Sequence, residues 1–331
     1  MEWLVQEGRR QGRRSVLFPC TDRFVEFVAA HRDRLEEQYV IPLPPNEVLA
    51  SILDKRRQYR LAEQAGVPMP RTIYPQRRED VEALEPKTWP YPCILKPATP
   101  HRWVRSYQSG YKLLLARSHE ELMRGYDDAC QRDLDVLIQE LIPGRESSIY
   151  SIYFYADRSG EVLAAGVGKK LRQFPANIGN GTLRESVVEP RVIEIGTQFI
   201  RALGFHGIGN IEFRRDPRDG EFKLMELNTR TALGEEVLIA GGLHLPYIAY
   251  RDLIGRPVIV EPGYRVGVKW WYFETDFRAF KVYRQRGELT LWTWLRSVWG
   301  AQAFAYFAWD DPRPFLVMMK NFIWKWRRGL I

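Results

Sequence analysis

Apolar residues change period along this chain, and each change predicts an element. An apolar run over 15–19 reads as a short buried strand, and Thr21 or Asp22 then caps a helix with Phe24, Phe27 and Val28 on one face. A helix over 3–11 precedes them. A second strand over 39–43 leads into Pro44 and Pro45, after which Asp54 caps a helix that Gly66 stops. Beyond a proline-rich link at 68–75 come a strand over 93–96, a polar loop over 99–110, a helix over 118–132 and a strand over 136–140. That order predicts a small α+β lobe. Two longer strands, 147–155 and 162–169, meet at turn residues 157–160 as a hairpin. Pro190 opens a helix that buries Val192, Ile195, Phe199 and Leu203 and ends at Gly204.

Composition narrows the class. A chain of 331 residues with 45% apolar content can bury two or three compact lobes, which argues against disorder. No window approaches the roughly 18 apolar residues of a membrane span, and Glu2, Glu7, Arg9 and Arg10 do not make a signal peptide. Cys20, Cys93 and Cys130 are widely spaced, as in a reducing compartment, so a cytoplasmic protein is expected. The formal charge is +8, yet 41 acidic residues are interspersed among 49 basic ones; a polyanionic nucleotide accounts for it, and no nucleic-acid partner is expected. Eight of the eleven tryptophans follow residue 262, and 312–331 carries five basic residues, no acidic one, and Phe315, Phe322, Ile323, Trp324 and Trp326. Such a helix either packs on its own protein or makes a peripheral membrane or protein contact.

The segment GIGNIEFRRDPRDGEFKLMELNTR, 207–230, holds the most chemistry. Two alternating strands flank a turn at 217–220 and should pair as a hairpin. With the turn centred on Asp219, Glu212 falls opposite Glu226, Asn228 shares their face, and Phe222 and Leu224 precede Glu226 on it. Opposed like charges call for a cation. A hard divalent ion held by both carboxylates and the amide oxygen is one answer; a solvated edge whose glutamates pair with Arg214 or Arg230 is the other.

A Glu on one strand followed, after a short turn, by Glu-x-Asn on the next resembles the metal signature of the ATP-grasp superfamily. Asp54-Lys55 with AEQAGVPMPRT resembles the segment bearing its first nucleotide lysine, YPCILKP the strand of the second, and IQELIPGRE the hinge between its lobes. NTR after the metal Glu resembles the poorly characterised carboxylate-amine ligase branch. The similarity covers roughly 40–260 in order. It implies an α/β and α+β ATP-grasp fold: a shortened N-terminal β-α domain over 1–75, a small α+β lobe over 76–142, a larger antiparallel-sheet lobe over 143–261, and a Trp-rich basic extension over 262–331. Relatives usually open with a complete β-α-β domain, so one initial strand is expected to be absent, and an open edge would suit a homodimer.

The resemblance further implies ATP and Mg2+, two ions, as cofactors. Lys55 and Lys96 would neutralise the phosphates, Lys96 also serving catalysis; Glu212, Glu226 and Asn228 would hold magnesium. Gln139, Glu140 and Leu141 would supply the adenine contacts and Glu146 the ribose contact, with Glu140 competing for it. The loop at 99–110, with His101, Arg102, Arg105 and Ser106, would close over the triphosphate. Lys169 and Arg172 are the candidates for substrate anions, and Arg230 for the acyl phosphate or oxyanion. The reaction implied joins a small-molecule carboxylate to an amine through an acyl phosphate. The rivals are carboxylation through carboxyphosphate and a non-catalytic nucleotide-binding scaffold attached through its C-terminal extension.

Overall fold

A computed structural model describes residues 1–98, 103, 106–107, 113–176, 179–260 and 263–328. The polar loop after residue 98 thus lies outside the described residues except at Trp103, Ser106 and Tyr107. In the N-terminal region β1 (Ser15–Val16) and β2 (Tyr39–Val40) pair in parallel, and the helix Asp22–Ala30 between them is capped by Thr21. Four strands build a small sheet: β3 (Thr72–Ile73), β4 (Cys93–Pro97), β5 (Leu114–Ala116) and β6 (Val136–Glu140), in the order β3-β6-β4-β5. The helix His119–Gln131 covers one side of it through Leu122, Tyr126 and Ala129. β3 falls before residue 76, so the small lobe takes its edge strand from the link.

The large sheet runs through β7 (Ile149–Ala156), β8 (Val162–Phe174), β9 (Asn180–Val187), β10 (Gly207–Arg215), β11 (Phe222–Asn228), β12 (Lys269–Trp271) and β13 (Ala303–Phe304). Its order is β11-β10-β7-β8-β9-β12-β13, antiparallel up to the β12–β13 pair. The expected C-terminal extension therefore does not stand apart: it supplies two strands, buries Trp270 and Ala303, and places Asp276 against Arg172 of β8.

One face of this sheet is apolar. Ile152, Phe154, Val167, Ile211, Phe213, Leu224 and Leu227 pack there against Val192, Ile195, Phe199 and Ile200 of the helix Pro190–Ala202. Tyr59 and Ala62 of the helix Lys55–Gln64 join the same core, which carries the N-terminal region onto β11. Each of the fully buried Val, Leu, Ile and Phe side chains contributes about 1.5–3 kcal/mol of transfer free energy.

The register matches expectation at one point and departs from it at the next. Glu212 lies opposite Glu226 and Asn210 opposite Asn228, but Phe213 pairs with Leu224, so a bulge falls at Met225. An inserted residue reverses strand parity. Phe222 and Leu224 consequently face the apolar core, whereas Glu226 and Asn228 face the other side: the expectation that these aromatic and aliphatic neighbours share the face of Glu226 is corrected.

Candidate functional site

The polar face of the large sheet is read across five strands by direct pairing. Asn228 and Glu226 of β11 stand beside Asn210 and Glu212 of β10; these stand beside Tyr153 and Ser151 of β7. Next come Gly166, Gly168 and Lys170 of β8, then Ser186 and Arg184 of β9. The two glycines are a packing requirement. A Cβ on Gly166 would lie 2.8 Å from Leu238 Cδ1, and one on Gly168 3.1 Å from the Tyr153 ring. The bare strand lets the segment after β11 settle on the sheet, which brings Gly234 against Arg184 and Tyr153.

The bulge organises the edge of the site. β11 is the edge strand of the sheet, so its outward backbone groups have no sheet partner, and a buried unpaired group costs about 1–3 kcal/mol. The helix Lys55–Gln64 supplies those partners. Gln58 Nε2 donates to Leu227 O at 3.1 Å, Leu227 N donates to Gln58 Oε1 at 3.2 Å, and Tyr59 O–H donates to Met225 O at 2.6 Å. Asp54 caps this helix through Arg56 N and Arg57 N, so its first residue is fixed in place. That residue is Lys55, whose Nζ donates to Glu226 Oε1 at 2.7 Å. From the small lobe, Lys96 Nζ donates to Gln139 Oε1 at 2.7 Å and to Tyr59 Oη at 3.1 Å. Lys55 thus reaches β11 directly, and Lys96 is linked to its bulge through Tyr59.

Glu212 is held more tightly. Lys170 Nζ lies 2.8 Å from one of its oxygens and Arg184 Nη2 3.3 Å from the other, where Ser151 Oγ also donates. Burial alone would raise this carboxyl, but the two cations prevail and hold it down at about 2. Asn228 donates its amide N–H to Asn210 Oδ1 at 3.3 Å, which leaves the Asn228 oxygen for another partner. Lys55, Lys170 and Arg184 pair with Glu212 and Glu226, a surplus of one positive charge over these five side chains, and Lys96 adds a further cation beside Tyr59.

Behind Arg184 the polar groups are less complete. Tyr153 Oη, Arg184 Nε, Asn210 Nδ2 and Glu235 Oε1 are buried without hydrogen-bond partners. Burial, reinforced by neighbouring Glu236, pushes the Glu235 carboxyl up to about 7 against the pull of Ala232 N–H. Glu235 and Glu236 line a cavity of about 190 Å³ with Ala232, Ile239, Trp270 and Phe304.

Divalent-cation binding is consistent with this donor set. Among the described residues no group of three His, Cys, Asp or Glu side chains gathers as a metal site. Two carboxylates and an amide oxygen do share one face, hard donors in the number magnesium takes when phosphate oxygens complete its shell. Glu212 and Glu226 do not pair with Arg214 or Arg230: the lysines and Arg184 take that place.

The other expected residues are placed as follows. Gln139 is buried beneath Lys96 and also donates to Thr72 Oγ1. Glu140 accepts from Arg71 N and pairs with Arg218, and Leu141 N donates to Pro92 O. Glu146 is buried beside Arg214 and Tyr283. Lys169 pairs with Tyr150 and lies over its ring at 5.3 Å, on the reverse, apolar side of the sheet. Arg172 makes a two-point ion pair with Asp276, both bonds 2.9 Å. Arg230 pairs with Asp22 at 2.6 Å, tying the strand end to the N-terminal region.

Lys170, Arg184, Gln58, Tyr59 and Glu235 were not among the expected residues. A readable signal existed for Arg184: Thr182, Arg184 and Ser186 are polar at period two, the pattern of a strand lining a polar cleft. Between Lys169 and Lys170 only the register decides.

Comparison with known proteins gives concordant results. The family described as ATP-grasp in the biosynthetic pathway with Ter operon matches residues 132–272. The chain is 24% identical to D-aspartate ligase of Enterococcus faecium, over 77% of this chain and 62% of that protein. It is 27% identical to D-alanine--D-alanine ligase of Pseudomonas entomophila, over 65% of this chain and 66% of the relative. It spans just under two thirds of the length of each. Among solved structures it resembles biotin carboxylase from Campylobacter jejuni, with a TM-score of 0.63 at 18% identity over 80% of this chain and 60% of that one. It also resembles L-amino acid ligase from Bacillus licheniformis, with a TM-score of 0.51 at 15% identity over 69% and 53%.

Proposed function

We propose that the chain is an ATP-grasp enzyme, an ADP-forming ligase that joins a small-molecule carboxylate to an amine; the family match over 132–272 and the similarity to ligases and ATP-grasp folds support this reading. The observation that carries this reading is the pairing of Lys55 with Glu226 on the strand that also bears Asn228, with Lys96 linked to the same strand through Tyr59. The surplus positive charge of that cluster suits a triphosphate, and the paired carboxylates suit the ions that accompany it.

In this reading Glu212, Glu226 and Asn228 hold magnesium, taken here as two ions. When bound, the metal draws charge from the phosphoryl oxygens. Lys55 and Lys96 hold the phosphates, and Lys96 is kept in position by Gln139 and Tyr59. The hinge from Gln139 through Leu141 borders the adenine, and Glu146 takes the ribose, with Glu140 as the competing carboxylate. The substrate carboxylate attacks the γ-phosphorus, the bond to ADP breaks, and an acyl phosphate forms. The amine then attacks the acyl carbon, phosphate leaves, and the nitrogen gives up its extra proton. We assign the developing oxyanion to Arg184 in place of Arg230, since Arg184 lies on the site face and Arg230 is committed to Asp22. Lys170, not Lys169 or Arg172, is the second cation on that face.

The cavity walled by Glu235, Glu236, Trp270 and Phe304 is the place for the amine. Carboxylates beside aromatic rings favour a cationic head, and a carboxyl that titrates near neutrality can accept its proton.

The test is ADP release measured over a matrix of carboxylates and amines. Release requiring one of each, with the amide product detected by mass spectrometry, supports the reading. Release with bicarbonate and no amine would instead indicate carboxyphosphate chemistry. Tight ATP binding with no release across the matrix would indicate the scaffold.

A further inference from the structure

The C-terminal helix Arg313–Arg327 is attached by one stripe only. Met318 and Phe322 are buried, the Phe322 ring meets Phe273 at 5.0 Å and Phe277 at 5.4 Å, and Lys325 pairs with Glu274 at 3.1 Å. Phe315 and Met319 are half-buried, the Phe315 ring 5.5 Å from Phe307, whereas Leu316, Val317, Ile323, Trp324 and Trp326 are exposed. Its neighbours continue the pattern. Trp292 of the helix Leu291–Val298 is 77% exposed, Trp299 83% and Trp309 89%. Of the 22 large apolar side chains exposed among the described residues, 11 lie from Leu291 onward. Scattered exposed hydrophobics are ordinary, but a concentration of this kind marks a contact surface.

Charge decides what covers it. The stretch 312–331 has five basic residues and no acidic one; Asp310 and Asp311 precede it. Lys320, Arg327 and Arg328 border the same groove as Leu316, Ile323 and Trp324, and the Arg328 guanidinium lies 4.1 Å from the Trp324 ring centre. Tryptophan interleaved with Lys and Arg is the chemistry of the boundary between acyl chains and anionic headgroups, where indoles bury their rings and cations meet phosphate. No helix among the described residues is long and apolar enough to cross a membrane, so the contact would lie in the surface plane.

We propose that the face built by the helices Leu291–Val298 and Arg313–Arg327 docks on an anionic lipid surface, holding the protein there without spanning it. The inference is independent of the ligase reading.

Full-length protein would be sedimented with vesicles of phosphatidylcholine, alone or with 30% phosphatidylglycerol, while tryptophan emission is followed. The expected result is binding to the anionic vesicles with a blue shift, at least tenfold weaker binding to neutral vesicles, and loss of the preference in 0.5 M salt. The triple variant Trp292→Ser/Trp324→Ser/Trp326→Ser should bind at least tenfold more weakly while keeping the circular dichroism spectrum of the parent. The variant Lys320→Glu/Arg327→Glu/Arg328→Glu should lose the phosphatidylglycerol preference. Absence of binding to the anionic vesicles, or equal binding by parent and triple-Trp variant, overturns the proposal. So does concentration-dependent dimerisation that the triple-Trp substitutions abolish, which would show that a second copy covers the face.

Discussion

Glu235 offers the sharpest quantitative check, because one buried carboxyl joins stability to the proposed chemistry. The substitution is Glu235→Gln, which keeps volume and the acceptor facing Ala232 N–H. In the folded protein, burial lifts the carboxyl from its ordinary value of 4.5 to about 7. At roughly 1.36 kcal/mol per pH unit, ionising it costs the fold about 3 kcal/mol. The sign follows from proton uptake. Between those two values the folded chain binds more protons at this position than the unfolded chain does, so the contribution is complete below pH 4.5 and is lost as pH rises through 7.

Urea unfolding of both proteins at pH 5, 6, 7 and 8 would isolate the effect, since subtracting paired curves cancels the other acids. The variant should gain on the parent by about 2.5 kcal/mol between pH 5 and pH 8. Parallel stability curves over that range would refute the reasoning and place Glu235 among ordinary ionised glutamates. If a cationic amine occupies the cavity, binding should also release a proton near pH 7, seen by calorimetry in buffers of different ionisation enthalpy.

Three further outcomes follow from the site and its supports. Glu226→Gln should abolish ADP release while leaving the thermal unfolding midpoint within a few degrees, because the side chain is 42% exposed and its mapped ion pair is with Lys55; unchanged turnover would remove the metal assignment. Gly234→Ala would set a methyl against Arg184 Nε and displace it from Glu212; turnover should fall about 100-fold with ATP affinity retained, and a matching loss of both would point to general misfolding. Asp276→Ala should cost about 3–5 kcal/mol, since it strands buried Arg172 and removes the partner of Thr182, Trp271 and Trp294. Protease resistance of the segment after residue 262 should fall with it, and full resistance would mean that the ion pair does not hold the extension to β8.

The elements that could be read from the sequence were those whose signals are local. Thr21 and Asp54 cap helices at the expected positions because a short side-chain oxygen before an amphipathic run suffices. β6 was legible for a similar reason, a five-residue apolar-rich run with clear ends. The continuation of β8 to Phe174 was not: its last residues pair with β9 across register shifts, and Arg172 finds Asp276 more than a hundred positions away. Nor could β12 and β13 be anticipated, since strands of three and two residues carry almost no periodic signal. Their place at the sheet edge is set by β9.

The site itself turned on parity. Had β11 been regular, Leu224 and Glu226 would share a face, and either the core would carry a carboxylate or the cleft would lose one. The bulge at Met225 resolves that conflict, and beside it Gln58 and Tyr59 bond the outward backbone groups of Met225 and Leu227 on this edge strand. Glu226 therefore depends on a helix about 170 residues earlier in the chain, the same helix that begins with Lys55. A substitution that spoils the Gln58 contacts, such as Gln58→Leu, should then act in two ways at once. It should destabilise the junction by about 1–3 kcal/mol and should loosen Lys55 and Glu226 together, weakening ATP affinity more than a surface change of equal stability cost. Loss of stability with unchanged ATP affinity would show that the bulge is only a packing device and that the cluster keeps its geometry without it.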